Sequence, residues 1–144
     1  MDKKTKQKVV YSGGTFDLFH SGHVNFLRQC SKFGKVIVSL NTDEFIYKYK
    51  GFHPIINFQE RKAVLSSCKY VSEVIENIGN EDSKPAIMKV NPDFIVIGTD
   101  WMGKDYYKQM NFTQEWLDSK NIVLCYIPYT TNISTTDIKN RLKT

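Results

Sequence analysis

His20 and His23 stand three residues apart in the segment Gly14-Thr15-Phe16-Asp17-Leu18-Phe19-His20-Ser21-Gly22-His23. They follow a short apolar run, Lys8-Val9-Val10-Tyr11, and open an amphipathic stretch in which Val24, Leu27 and Cys30 share one helical face. A strand, a glycine-bearing turn and a helix start form the place where α/β proteins bind phosphate. Orphan backbone N–H groups and the positive end of the helix dipole both point at the anion there. At this spacing the two imidazoles can face the same way and donate to a single phosphate group. Gly22, between them, keeps the space beside the anion free of a side chain. A metal site would need three or four ligands. The remaining histidine, His53, is expected at the surface, and no cysteine lies close in sequence to the pair. Phosphate chemistry is therefore the better reading.

The elements that must carry this pair alternate along the chain. A strand is expected over 36–40 after Gly34, and a short helix through Phe45 and Tyr47 after Asn41-Thr42-Asp43-Glu44. A loop with Lys48, Lys50, Gly51 and Pro54 follows. Asn57-Phe58-Gln59-Glu60 has the form of a capping box and predicts a helix over about 58–67. Further strands are expected over 70–75, 94–98 and 122–127, with helices opened by Ser83 and Pro85, over about 105–119 in one or two pieces, and after Ser134-Thr135-Thr136-Asp137. Strands rich in β-branched residues alternating with helices imply an α/β, Rossmann-like, doubly wound and mainly parallel five-stranded sheet, with helices on both faces. In such a fold the ligand lies beyond the carboxyl ends of the strands. Those ends are 12–17, 41–43, 98–101 and 128–135, and all carry polar or glycine residues that can converge.

Composition narrows the partners. The chain has 144 residues, a net charge of +5, 41% apolar and 13% aromatic residues, the profile of an ordered globular protein. It reads as a single domain over 1–144, with residues 1–7 a basic flexible tail. The basic balance fits a phosphorylated small molecule, and no nucleic-acid-binding motif is present. Three scattered cysteines read as buried reduced thiols of a cytoplasmic protein, and no apolar run reaches the length of a membrane span.

With these strand ends in view, the pattern resembles the cytidylyltransferase branch of the HxGH nucleotidyltransferase superfamily, and within it the enzymes acting on glycerol 3-phosphate. The first signature is Gly14-Thr15-Phe16-Asp17 leading to His20-Ser21-Gly22-His23; the second is Ile133-Ser134-Thr135-Thr136-Asp137-Ile138-Lys139. Supporting stretches are Asn41-Thr42-Asp43-Glu44-Phe45, Glu60-Arg61-Lys62, Lys69-Tyr70-Val71-Ser72-Glu73-Val74 and Asp100-Trp101-Met102-Gly103-Lys104. The resemblance covers nearly the whole chain after the basic tail.

It implies attack of a phosphorylated alcohol, with glycerol 3-phosphate the expected acceptor, on the α-phosphorus of CTP, giving a CDP-alcohol and pyrophosphate. On this resemblance His20, His23 and Lys50 are catalytic. Gly14, Thr15, Phe16, Asp17, Asp100, Trp101, Thr130, Ile133, Ser134 and Thr135 bind the nucleotide, and Arg61, Lys48 and Asp43 bind the acceptor. Asp17 is expected to hold the turn or a histidine tautomer. Mg²⁺ is expected on the nucleotide phosphates, without a protein metal site, and a homodimer is implied.

The chain departs from the family pattern at Tyr129-Thr130-Thr131-Asn132, where Arg-Thr-Glu-Gly is usual. Its loop between Lys50 and Arg61 is more like those of the choline- and ethanolamine-phosphate enzymes. Ser72 stands where an aspartate beside the dimer contact is common. The open alternatives are an adenylyltransferase using ATP and a sugar phosphate, CTP with a choline- or ethanolamine-type phosphate, and a non-catalytic nucleotide-binding module.

Overall fold

The computed structural model describes residues 7–99, 105–128, 130 and 133–143. Five strands form one parallel sheet in the order β3-β2-β1-β4-β5. They are β1 (Val9–Gly14), β2 (Lys35–Leu40), β3 (Glu73–Glu76), β4 (Phe94–Gly98) and β5 (Val123–Ile127). Between and after them lie α1 (Ser21–Cys30), α2 (Asp43–Lys50), α3 (Phe58–Ser66), α4 (Lys84–Val90), α5 (Tyr106–Met110), α6 (Gln114–Ser119) and α7 (Thr135–Arg141). The order runs outward from β1 in both directions, so the chain reverses between β1 and β4, and the ligand crevice opens there.

Period-two alternation along each strand sends neighbouring residues to opposite faces and produces two cores. Tyr11, Ile37, Ile75, Ile95 and Ile97 pack with Ala86 and Ile87 of α4, Tyr106 of α5 and Leu117 of α6. Val10, Val36, Val38, Val74 and Val96 pack with Leu27 and Cys30 of α1 and Leu65 of α3. The doubly wound parallel sheet expected from the sequence is the observed one. The paired aromatics around Tyr106 and Phe112 are core packing, with ring centroids 5.9 Å apart.

The structure departs from expectation in four places. β3 begins at Glu73 because Val71 N–H closes a turn onto Cys68 O, and Tyr70 and Val71 cap the core beside α3 instead of pairing. Val24, placed by its spacing on the apolar face of α1, is 36% exposed. Cys30 is buried, whereas Cys68 and Cys125 are only partly so; all three are free thiols. Lys48 and Lys50 belong to the last turn of α2, not to a loop. Asp43 and Glu44 at its first turn and the two lysines at its last complement the helix dipole, which favours carrying the helix to Gly51. Gly51 then ends it at φ 82°, with its N–H on Tyr47 O at 2.8 Å.

Candidate active site

The carboxyl ends of the strands and the entrances of α1 and α7 enclose a cavity of about 580 Å³, within the range that holds small ligands. Ten of the residues expected to act line it: Gly14, Thr15, Phe16, His20, His23, Lys50, Thr130, Ile133, Ser134 and Thr135. Asp17, Asp43, Lys48 and Arg61 are not among its lining residues. Asp100 and Trp101, like Tyr129, Thr131 and Asn132, lie outside the described residues.

The histidines form a reciprocal cap. His20 is the N-cap of α1; its Nδ1 accepts from Gly22 N–H at 3.0 Å, while His23 Nδ1 accepts from His20 N–H at 3.2 Å. An Nδ1 that accepts cannot carry the proton of a neutral imidazole, so in both rings the proton sits on Nε2. The tautomers are thus set by backbone amides of the helix entrance. The expectation that Asp17 holds a histidine tautomer is corrected by this geometry. The rings stack with centroids 3.7 Å apart, and Phe16 and Phe19 lie 5.2 and 5.4 Å from His23.

This apolar enclosure, reinforced by the neighbouring His20, pushes the His23 pKa down from 6.5 to about 3; burial also lowers His20. Both rings are therefore neutral near pH 7, each presenting one Nε2–H donor. A Cβ on Gly22 would sit 2.8 Å from the His20 ring and 3.1 Å from Ile133. The space Gly22 provides is filled by His20 and Ile133 themselves.

Asp17, 5% exposed, accepts from Leu18, Ile55 and Ile56 N–H groups at 3.1, 2.7 and 2.9 Å. It fastens the segment after α2 to the turn after β1, where Phe16 and Leu18 adopt φ near 50°. Thr135 Oγ1 donates to Asp17 O at 2.8 Å, which docks α7 on the same turn. Ser134 caps α7 by accepting from Asp137 N–H at 2.9 Å and keeps its own hydroxyl proton to donate. Thr130 Oγ1 accepts from Asn25 Nδ2 at 2.8 Å, and Asn25 Oδ1 is held in turn by Arg28 at 2.6 Å.

Arg61, expected to bind the acceptor, is drawn into the protein interior. It is 2% exposed and donates to Ile56 O at 2.8 Å, Thr15 O at 2.9 Å and Asp43 Oδ1 at 2.6 Å. These contacts occupy the Nε, Nη1 and Nη2 donors, and Asp43 Oδ2 also accepts from Phe58 N–H at 3.2 Å. In this structure both side chains are engaged in internal contacts that hold the Thr15 carbonyl and the start of α3. Lys48 pairs with Glu81 at 3.5 Å on the outer rim, both side chains largely exposed. Lys50 reaches the cavity. Partial burial of its ammonium lowers its pKa, the nearby Lys139 lowers it further, and Asp17 opposes both. An anion between these cations would relieve the repulsion.

Sequence reasoning missed the side away from α7. Asn77 and Asn80, after β3, join Asn41 in the cavity wall. The signal available was a pair of asparagines, Asn77 and Asn80, just beyond a strand's carboxyl end. Among the described residues no three His, Cys, Asp or Glu side chains converge as a metal cage.

A parallel sheet reversing at β1, a phosphate-type turn and two fixed Nε2–H donors define a nucleotide-handling α/β site. The chain belongs to the cytidylyltransferase-like family, whose model matches residues 11–141. Among its relatives, the glycerol-3-phosphate cytidylyltransferase of Bacillus subtilis (strain 168) is 37% identical over 139 residues, covering 94% of this chain and 97% of that one. The ethanolamine-phosphate cytidylyltransferase of Dictyostelium discoideum is 36% identical over 138 residues, 92% of this chain but 36% of that longer protein. Among solved structures, the lipopolysaccharide core biosynthesis protein of Thermoplasma volcanium GSS1 superposes with a TM-score of 0.69 at 25% identity, covering 86% of this chain and 98% of that one.

Proposed function

We propose that this protein transfers the cytidylyl group of CTP to glycerol 3-phosphate, releasing CDP-glycerol and pyrophosphate. The observation that carries the reading is the shared cavity: two neutral imidazoles with free Nε2–H groups, Lys50 and the capped entrance of α7 all line it. Similarity over nearly the full length of glycerol-3-phosphate cytidylyltransferases supports the choice of substrates.

The chemistry follows from the charges. A phosphate oxygen of the acceptor is already anionic, so it attacks the α-phosphorus without a general base. A new P–O bond forms, the bond from the α-phosphorus to the α,β-bridging oxygen breaks, and pyrophosphate leaves with that electron pair. Negative charge grows on the transferring group and on the leaving group, and catalysis consists of positioning and neutralisation. His20 and His23 donate to the α-phosphate oxygens. Backbone N–H groups of Thr15 and Phe16 line the same turn, while Lys50, Ser134 and Thr135 receive the departing pyrophosphate. Mg²⁺ belongs to this reading as an ion brought by the triphosphate, held by phosphate oxygens and water. A homodimer belongs to it as well, checked by light scattering in solution.

The test incubates the purified protein with CTP or ATP and with glycerol 3-phosphate, choline phosphate, ethanolamine phosphate and a heptose phosphate. Pyrophosphate release and product mass are the readouts. CDP-glycerol as the principal product is expected; exclusive use of ATP defeats the reading.

A further inference from the structure

We propose that Asn77 reads the acceptor: its side-chain carbonyl accepts a hydrogen bond from a free hydroxyl of the polyol phosphate, bound on the β2–β3 side of the cavity. The proposal rests on the cytidylyl-transfer reading above and adds the residue that distinguishes a polyol from other small phosphates.

Asn77 is 7% exposed and lines the cavity just beyond β3. Its Nδ2 donates to Asn41 Oδ1 and to Asn80 O, each at 3.0 Å. A backbone carbonyl can only accept, so the contact with Asn80 O fixes which end of the amide is nitrogen. The other end, Oδ1, is buried with no hydrogen-bond partner among the described residues. Buried acceptors are almost always satisfied, and one left without a donor on a residue that lines a cavity is explained when a ligand supplies it.

The atom is also held in place. Asn77 N–H is tied to Leu40 O at 2.9 Å, and Asn41 Nδ2 continues the chain to Thr15 Oγ1 at 3.3 Å. A hydrogen-bonded path thus joins Asn77 to the phosphate-binding turn.

Its location suits the acceptor and not the leaving group. In-line displacement puts the nucleophile opposite the departing pyrophosphate. Lys50 is close enough to Lys139 of α7 to feel its charge, whereas Asn41 follows β2 and Asn77 follows β3. The chemistry favours a hydroxyl over an ammonium. A neutral amide carbonyl satisfies one O–H, whereas the nearby carboxylate that could balance an amino-alcohol's charge, Glu81, is paired with Lys48.

The test compares kcat/KM for glycerol 3-phosphate with analogues lacking either free hydroxyl, and with propyl phosphate lacking both. In the wild-type enzyme, loss of the hydroxyl that is read should cost roughly 100-fold or more, as expected for a site built around a polar group. Asn77→Ala should erase the preference, bringing glycerol 3-phosphate to within about threefold of propyl phosphate. Asn77→Asp keeps an accepting oxygen, and the Asn41 amide can turn over to donate to it, but its second oxygen is set against Asn80 O, which can only accept; it should therefore retain the preference at a lower kcat/KM for every acceptor. Circular dichroism checks that each variant folds. Should both fail to fold, the wild-type Asn77 side-chain amide protons, followed by NMR, shift with CDP-glycerol and not with the propyl product.

Equal turnover of propyl phosphate by the wild type overturns the proposal. So does a preference that persists in folded Asn77→Ala, or equal amide shifts with the two products. Failure of the underlying reading looks different: no CDP product forms from CTP with any phosphate acceptor.

Discussion

Replacing Arg61 by methionine separates two accounts of the same residue. If Arg61 bound the acceptor phosphate, its loss would raise the acceptor KM and leave the fold alone. The structure instead gives it three internal hydrogen bonds at 2.6–2.9 Å and 2% exposure. Removing one partner of a buried ion pair typically costs about 3–5 kcal/mol, because the groups left behind lose their compensation. Asp43, with its side chain 29% exposed and a second bond from Phe58 N–H, recovers some hydration, so the lower half of that range applies, about 3 kcal/mol.

Against a total stability of about 5–15 kcal/mol this is a large fraction. At a urea m-value of about 2 kcal/mol/M it moves the midpoint down by about 1.5 M. Arg61→Lys keeps the charge but offers a single point of contact, and should fall about halfway between. Asp43→Asn combined with Arg61→Met should be non-additive by about 1–2 kcal/mol, because the two side chains touch. The assays are urea unfolding by fluorescence and steady-state kinetics with the acceptor varied. A midpoint unchanged within error, together with a selective rise of ten-fold or more in acceptor KM, refutes the structural role.

Three other outcomes are expected. His23→Asn keeps an acceptor for His20 N–H but loses the Nε2–H donor, so kcat should fall about 10²–10³-fold while the CTP Kd, measured by calorimetry, moves only a few-fold. NMR titration of the ligand-free protein should show no protonation of His23 between pH 8 and 5, since its pKa lies at about 3. The sign follows: the unfolded chain takes up this proton below 6.5 and the folded one resists it, so the His23 contribution to stability is complete above pH 6.5 and drains away towards pH 3. A midpoint near 6.5 for the His23 ring would refute its enclosure by Phe16, Phe19 and His20. Asp17→Asn replaces one accepting oxygen with a donor facing an N–H of 55 or 56, and should cost about 1–3 kcal/mol and lower kcat. Full activity at unchanged stability would show that this anchor is dispensable.

The parts of the fold visible in the sequence were those encoded locally. Continuous runs of β-branched apolar residues marked the strands, and Asn57 and Ser134 announced their helices as N-caps. The histidine spacing gave the shared direction of the rings. Features made by contacts distant in sequence stayed hidden. Arg61 was expected at the acceptor, and its internal role stayed hidden because Thr15 O, 46 positions away, is invisible along the chain. Lys50 looked like a loop residue because Gly51 was read as part of a loop and not as the C-cap that extends α2 up to it. The proton position on the histidines followed from backbone N–H groups, which carry no sequence label. Asn77 became informative only once Asn41 and Asn80 were seen to occupy its amide and leave its oxygen open.

The contact from Thr135 Oγ1 to Asp17 O spans 118 positions. A nascent chain emerging from the ribosome can therefore have all five strands available before this contact forms. Until α7 has also emerged, the cavity lacks one of its walls, and a partly made protein holds the histidine cap without the surface of Ser134 and Thr135 beside it. On the proposed reading, a chain still lacking α7 would be poorly equipped to consume CTP.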